Sequence, residues 1–169
     1  MEIREIAGID AQEYYALRVL SEKEYPEFVG FNAERELSTG TEGIHDILSN
    51  YPAEGTVVFG AFVHDQLTGV LALSRHLSPK YQHKAFLWGM YILPEFRGSG
   101  TAQALMRAAI TWGTQHPEVI AISLQVTESN IRGQKFYTRF GFTVFGSEKN
   151  ALFAAGQYHG IYYMALDVK

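Results

Sequence analysis

Residues 97–102 read Arg-Gly-Ser-Gly-Thr-Ala. Two glycines two apart let the backbone turn so that consecutive N–H groups face one point. A helical pattern begins directly after them, and a helix start carries about half a positive charge. Arg97 adds a full charge at the rim. The guest that such a cradle takes is an anion, above all a phosphate or pyrophosphate. Three phosphate-binding patterns compete for these residues. A Walker A loop ends in Gly-Lys-Ser/Thr, which the sequence lacks. The dinucleotide pattern G-x-G-x-x-G/A fits at Gly98 and Gly100, but Gln103 stands where close helix–strand packing wants a small residue. The pattern Arg/Gln-x-x-Gly-x-Gly/Ala fits throughout, as Arg97, Gly100 and Ala102. A glycine-rich helix cap with no ligand would use the same residues.

A second segment, Thr127 to Phe142, places an amide, a gap and a phenol at helical spacing. At about 100° per residue, Asn130, Gly133 and Tyr137 share one face. Phe136 and Phe140 lie off that face and are free to serve the core. Half-buried packing is the plain alternative for Tyr137.

In order and about thirty residues apart, these two segments resemble the pyrophosphate motif and the C-terminal signature of the GCN5-related N-acetyltransferase (GNAT) superfamily. The signature's places fall on Asn130, Gly133, Tyr137 and Gly141-Phe142. Further matches cover most of the chain: Trp88 to Gly98, Tyr15 to Leu20, Tyr25 to Phe28, and Gln157-Tyr158 with Met164 to Leu166. The resemblance implies direct acetyl transfer from acetyl-CoA to a primary amine of a small molecule or peptide, in a ternary complex and without a metal. It implies a sheet that splays between two central parallel strands. Backbone groups of Met90, Tyr91 and Ile92 would hold the pantetheine arm, and the N–H of Ile92 or one just before it would serve the oxyanion. Arg97, Gly98, Ser99, Gly100, Thr101 and Ala102 would hold the pyrophosphate, with Asn130 and Gly133 completing the acetyl-CoA site. Tyr137 would protonate the departing thiolate.

The general base is less legible. Several relatives carry a glutamate on the second central strand, where this chain has Gln125. Glutamine takes no proton, which leaves Glu128, His76, another carboxylate through water, or solvent. Trp88, Tyr91 and Phe28 are candidates to line an acceptor pocket, with core packing as the alternative for Trp88 and Phe28. Two other readings compete: a non-catalytic acyl-CoA-binding module of the same fold, and a nucleotide-phosphate binder that uses the glycine loop alone.

The elements that must position these residues follow from periodicity. Strands are expected over Glu2–Ile6, Thr56–Val63, Val70–His76, Ala85–Leu93, Val119–Val126, Thr143–Phe153 and Tyr158–Asp167. His64–Gly69 has turn composition. A capping box at Asp10 and Glu13 opens a helix to about Glu24, with Tyr14, Leu17 and Leu20 inward. Further helices are expected over Asn32–Leu37, Thr41–Asn50, from the glycine loop to His116 with Leu105, Ala109 and Trp112 inward, and Asn130–Phe140, with Gly141 as a left-handed stop. The order β-α-α-β-β-β-α-β-α-β-β predicts an α/β fold: a mixed sheet of about seven strands with helices on both faces.

The chain has 169 residues, read as one domain over 1–169. It has no cysteine, which removes disulfides, thiolate metal sites and cysteine nucleophiles. Its longest apolar run, Phe86–Leu93, is far short of a membrane helix. With no secretory pattern at Met1–Glu5, a cytoplasmic monomer or homodimer is expected, without nucleic-acid or membrane partners. Net charge is −4. Residues 1–54 hold twelve acidic and four basic side chains, and the remainder six and ten. An acidic front could draw a cationic acceptor, or simply coat solvent-facing helices.

Overall fold

The computed structural model describes residues 1–27 and 33–169; Phe28 and Asn32 lie outside the described residues. Strands β1 (Glu2–Glu5), β2 (Thr56–Val63), β3 (Gln66–Arg75), β4 (Lys84–Ile92), β5 (Ala121–Thr127), β6 (Thr143–Ala154) and β7 (Gln157–Asp167) form one sheet in the order β1-β2-β3-β4-β5-β7-β6. The helices are α1 (Ala11–Glu24), α2 (Ala33–Ser38), α3 (Gly40–Asn50), α4 (Thr101–Gln115) and α5 (Ile131–Arg139). The mixed seven-stranded sheet with helices on both faces is as expected.

The β2–β3 turn is tighter than composition suggests. His64 and Asp65 alone make it, with φ of 49° and 65°. Two positive φ values in succession give the turn whose twist matches paired strands. Residues 66–69 therefore extend β3 instead of forming a loop. Thr68 is fully buried there, its hydroxyl donating to the carbonyl of Ala61 at 3.0 Å. The β6–β7 turn repeats the device at Ala155 and Gly156, with φ of 50° and 79°.

Side chains alternate across the sheet and build two cores. Leu71, Leu73, Leu87, Ile122 and Leu124 meet Leu105, Met106 and Ala109 of α4, with Phe142. On the other face, Val58, Val70, Trp88 and Tyr91 meet Tyr14 and Leu17 of α1 and Ile44 and Leu48 of α3. Each fully buried large side chain contributes about 1.5–3 kcal/mol.

Helix α1 departs from its expected pattern at two places. Asp10 does not cap it. Its carboxylate instead accepts from Arg4 at 2.7 and 2.9 Å and from the N–H of Ala7 at 3.0 Å. Leu20 is 46% exposed, because two steps of three residues drift about 120° around the helix from Tyr14. The inward stripe runs through Tyr14, Leu17 and Arg18 instead. Arg18 is buried, and its Nε donates to the buried Glu36 of α2 at 2.9 Å. Glu36 also accepts from the hydroxyls of Tyr14, at 3.1 Å, and Tyr51, at 2.6 Å. A buried carboxylate without partners would be costly, so this set of donors ties α1, α2 and the end of α3 together.

The acidic front is thus partly internal. Asp10, Glu36 and Glu24 are each paired, with Arg4, Arg18 and Arg97. Among the described residues, no helix is long and apolar enough to cross a membrane, and no group of three or more His, Asp or Glu side chains is gathered for a metal.

Candidate active site

Strands β4 and β5 are parallel, and they pair only at Lys84–Leu87 with Ala121–Leu124. Beyond that point they part. On its other edge, β4 carries a bulge: Trp88 pairs with Ala72 and Tyr91 with Val70, so one residue is extra. Gly89 supplies it with φ +66°, a conformation that suits glycine. The bulge reverses the alternation. Trp88 and Tyr91 both face α1 and α3, while Met90 packs towards α5.

Through this gap runs an open cavity of about 200 Å³. Its walls come from both faces of the sheet. Helix α1 supplies Arg18, Ser21 and Glu22, with Tyr25 just past its end, β4 supplies Gly89–Ile92, and the far wall is Asn130, Gly133, Phe136 and Tyr137. Arg97, Ala102 and Arg132 line its outer end. Ala102, Arg132 and Phe136 also line an adjoining groove with Gly98, Lys135 and Arg139. The sequence reading missed the cations of α5. Lys135 and Arg139, three and seven residues after Arg132, were visible in the sequence, but a basic stripe is usually a solvated face.

Each expected site residue has a definite place. Gly98 and Gly100 have φ of 79° and 91°, and the space where a Cβ would stand on either is open. Ser99 donates to the carbonyl of Phe96 at 2.6 Å and lies 2.8 Å from the buried Thr101 hydroxyl. Both hydroxyls are occupied locally, so the loop offers its backbone. Asn130 is the N-cap of α5, its Oδ1 accepting from the N–H of Gly133 at 2.8 Å. A Cβ at Gly133 would stand 2.7 Å from that amide, which explains the glycine. The Tyr137 hydroxyl points across the gap to Met90 Sδ at 3.8 Å. Burial pushes its pKa up to about 12.

Arg97 lines the cavity, but its guanidinium is held by Glu24 at the end of α1, at 2.7 and 2.6 Å. Its Nε caps β4 through the carbonyl of Ile92 at 3.0 Å. Tyr91 donates to the same Glu24 carboxylate at 2.6 Å. The Arg97 hydrogen bond, more than burial, sets the Glu24 pKa, down to about 2. Burial and then Glu24 raise that of Tyr91 to about 12. The full charge expected at the rim is neutralised by a last-turn carboxylate of α1, a partner far away in sequence.

The base candidates separate. His76 lines a second cavity of about 390 Å³ on the α3 face, with Gln125, Trp88, Phe86, Ser74 and Ser123. Trp88 Nε1 donates there to Ser74 at 2.8 Å. His76, beside Lys84, is some 20 Å along β4 from Met90 at about 3.3 Å per residue. Glu128 packs over Gly160 of β7. Glu22 of α1, which the sequence reading did not single out, also lines the cavity.

The model of the acetyltransferase (GNAT) family matches residues 14–142. This chain belongs to the GNAT family. The L-amino acid N-acetyltransferase AaaT of Escherichia coli is 30% identical over 105 residues, 62% of this chain and less than two thirds, 64%, of that protein. The fold matches a GNAT acetyltransferase from Streptococcus pneumoniae with a TM-score of 0.86 at 19% identity, over 99% of each chain. It also matches yncA of Salmonella typhimurium, a structure with acetyl-CoA, at a TM-score of 0.83 and 15% identity, over 100% of this chain and 94% of that one. The chain spans less than two thirds of the length of the curated relatives it matches.

Proposed function

We propose that residues 1–169 form one acetyltransferase domain that moves the acetyl group of acetyl-CoA to the amine of a small molecule or peptide. The parting of β4 and β5 after Leu87 and Leu124 carries this reading. It opens a passage through the sheet, with Tyr137 on one side and α1 on the other. The residues fit acetyl-CoA. Open space stands before Gly98 and Gly100, and Gly98 and Ala102 line the groove together with Arg132, Lys135 and Arg139. When bound, acetyl-CoA supplies an activated acyl thioester. Met90, Tyr91 and Ile92 offer backbone that β5 leaves unpaired. One structure of this fold holds acetyl-CoA and another holds CoA, and the E. coli relative is an L-amino acid N-acetyltransferase.

Burial holds the proton on Tyr137 at any working pH, so the phenol is a donor and not a base. A pKa near 12 is a weaker acid than a free phenol, each unit being worth about 1.4 kcal/mol. Partial desolvation raises the affinity of a departing thiolate for a proton as well, which offsets the loss. Gln125 keeps one alternative in view, an acyl-CoA-binding module without turnover.

The test is release of free CoA with a panel of amines and a no-acceptor control. The reading expects acceptor-dependent release. Calorimetric binding of acetyl-CoA with no release for any amine would leave the non-turnover module. Displacement of acetyl-CoA by ATP would favour a binder of nucleotide phosphates.

A further inference from the structure

The resemblance assigns the Arg97 side chain to the pyrophosphate, but in the structure that side chain is committed elsewhere. Its Nη1 and Nη2 donate to the two oxygens of Glu24 at 2.7 and 2.6 Å. Nη1 also donates to the Tyr25 hydroxyl at 3.1 Å, and Nε to the Ile92 carbonyl at 3.0 Å. A guanidinium has five N–H groups, and these bonds use four of them. Its Cζ lies 5.6 Å from the ring centre of Tyr25 and 5.5 Å from that of Tyr91. The Tyr91 hydroxyl reaches the same Glu24 carboxylate at 2.6 Å. Two side chains thus tie the last turn of α1 to the end of β4.

The side chains of Arg97 and Glu24 are 20% and 30% exposed, and pairs so open to water contribute little to stability. What a two-pronged pair of arginine and carboxylate does give is fixed geometry. The two elements need it unequally. Strand β4 is already held by β3, with Val70 opposite Tyr91 and Gly69 opposite Ile92. The end of α1 has no such ladder, yet Ser21, Glu22 and Tyr25 line the passage there. The pyrophosphate, for its part, has another source of charge. Gly98 and Ala102 line the outer groove with Arg132, Lys135 and Arg139, and Arg97 is not among the residues of that groove.

We infer that Arg97 is a positioning residue for the acceptor: through Glu24 it holds the end of α1 against β4, and the pyrophosphate is bound without its side chain. This rests on the acetyl-transfer reading and adds to it what sets the α1 wall. Loss of either partner lets that wall move. Acetyl-CoA, held by β4, the glycine loop and α5, stays in place. The amine then meets the thioester less often in the geometry of attack.

The experiment sets Arg97→Gln, Glu24→Ala and the double variant against the wild-type protein. Calorimetry gives the affinity for acetyl-CoA. Kinetics at saturating acetyl-CoA give kcat/KM for whichever amine of the release panel is fastest. Each single variant should bind acetyl-CoA within about threefold of wild type, which also shows that it is folded. Each should lose about tenfold in kcat/KM for the amine, the cost of a wall slightly out of place. The double variant should lose no more than the worse single, because the two residues act as one unit. A phosphate ligand would give a different pattern. Arg97→Gln would weaken acetyl-CoA by at least about tenfold, the loss of one charged hydrogen bond. Glu24→Ala, which frees the guanidinium, would tighten it. Either result would overturn the inference. So would additive losses in the double variant, or urea midpoints that fall while kcat/KM stays at the wild-type value. If Arg97→Gln does not fold, Glu24→Ala decides alone: a slower amine with unchanged acetyl-CoA affinity supports the inference, and tighter acetyl-CoA or an unchanged amine overturns it. All of these outcomes leave acetyl transfer intact. Wild-type protein that releases CoA with no amine would remove the parent reading, and this inference with it.

Discussion

The two walls of the passage are built in different ways. The α4–α5 wall comes from short, contiguous stretches: a glycine loop at the start of α4, and one helix whose cap, gap and phenol lie within eight residues. The α1 wall comes from charges that meet across the fold. Arg18 finds Glu36 of α2, and Glu24 finds Arg97 beyond β4. One wall is organised by backbone and the other by ion pairs. Substitutions on the first should therefore disturb chemistry and acetyl-CoA, and substitutions on the second should disturb stability and the choice of acceptor.

The largest effect expected is on the first wall. Tyr137→Phe keeps the ring and removes the hydroxyl that faces Met90. Turnover should fall about 10²–10⁴-fold, the usual worth of a positioned acid. KM for acetyl-CoA should change little, the mark of an interaction made only in the transition state. Turnover within about threefold of wild type, with chemistry rate-limiting, would remove Tyr137 from the mechanism.

Glu36→Ala probes the second wall. It strands Arg18 and two tyrosine hydroxyls in the interior. Urea denaturation should show a loss of about 3–5 kcal/mol, typical of breaking a buried pair from one side. A loss under 1 kcal/mol would mean that this wall is not held by its charges.

Gly100→Glu returns to the first wall. Wild-type protein at acetyl-CoA equal to 100 times its dissociation constant should gain about 2.7 kcal/mol. The variant places a side chain at φ +91° and a carboxylate before the cradle. It should lose that gain, and undiminished binding would move the pyrophosphate elsewhere.

The smallest effect is that of Glu24→Gln. The Glu24 pKa of about 2 lies below the ordinary glutamate value near 4.3. A depressed carboxylate pKa stabilises the fold above the ordinary value, and that share is lost as pH falls from about 4.3 to 2. Wild-type urea midpoints should fall more over this range than those of the variant. At neutral pH the difference should stay within about 1 kcal/mol, since the pair is partly solvated.

How far the sequence spoke follows the same division. The parallel crossover, the glycine loop and the face of Asn130, Gly133 and Tyr137 were legible because they are local and periodic. The role of Asn130 as N-cap refines that face and explains Gly133. Residues 66–69 misread as a turn because composition cannot tell a polar loop from a buried strand with one satisfied threonine. Leu20 misread because three-residue steps drift. Arg18, Glu22 and Glu24 were illegible for a different reason. Charges on an early helix look like solvated surface until the fold supplies their partners.

Amide hydrogen exchange along β4 tests the central claim most directly, because the strand is half paired and half parted. Lys84–Leu87 already pairs with β5, whereas Met90–Ile92 faces the gap. Saturating acetyl-CoA should slow exchange at Met90, Tyr91 and Ile92 and at the Gly98–Ala102 loop, and leave Lys84–Leu87 nearly unchanged. Binding confirmed by calorimetry, with no added protection at either of the first two segments, would contradict a passage between the strands as the place where acetyl-CoA lies.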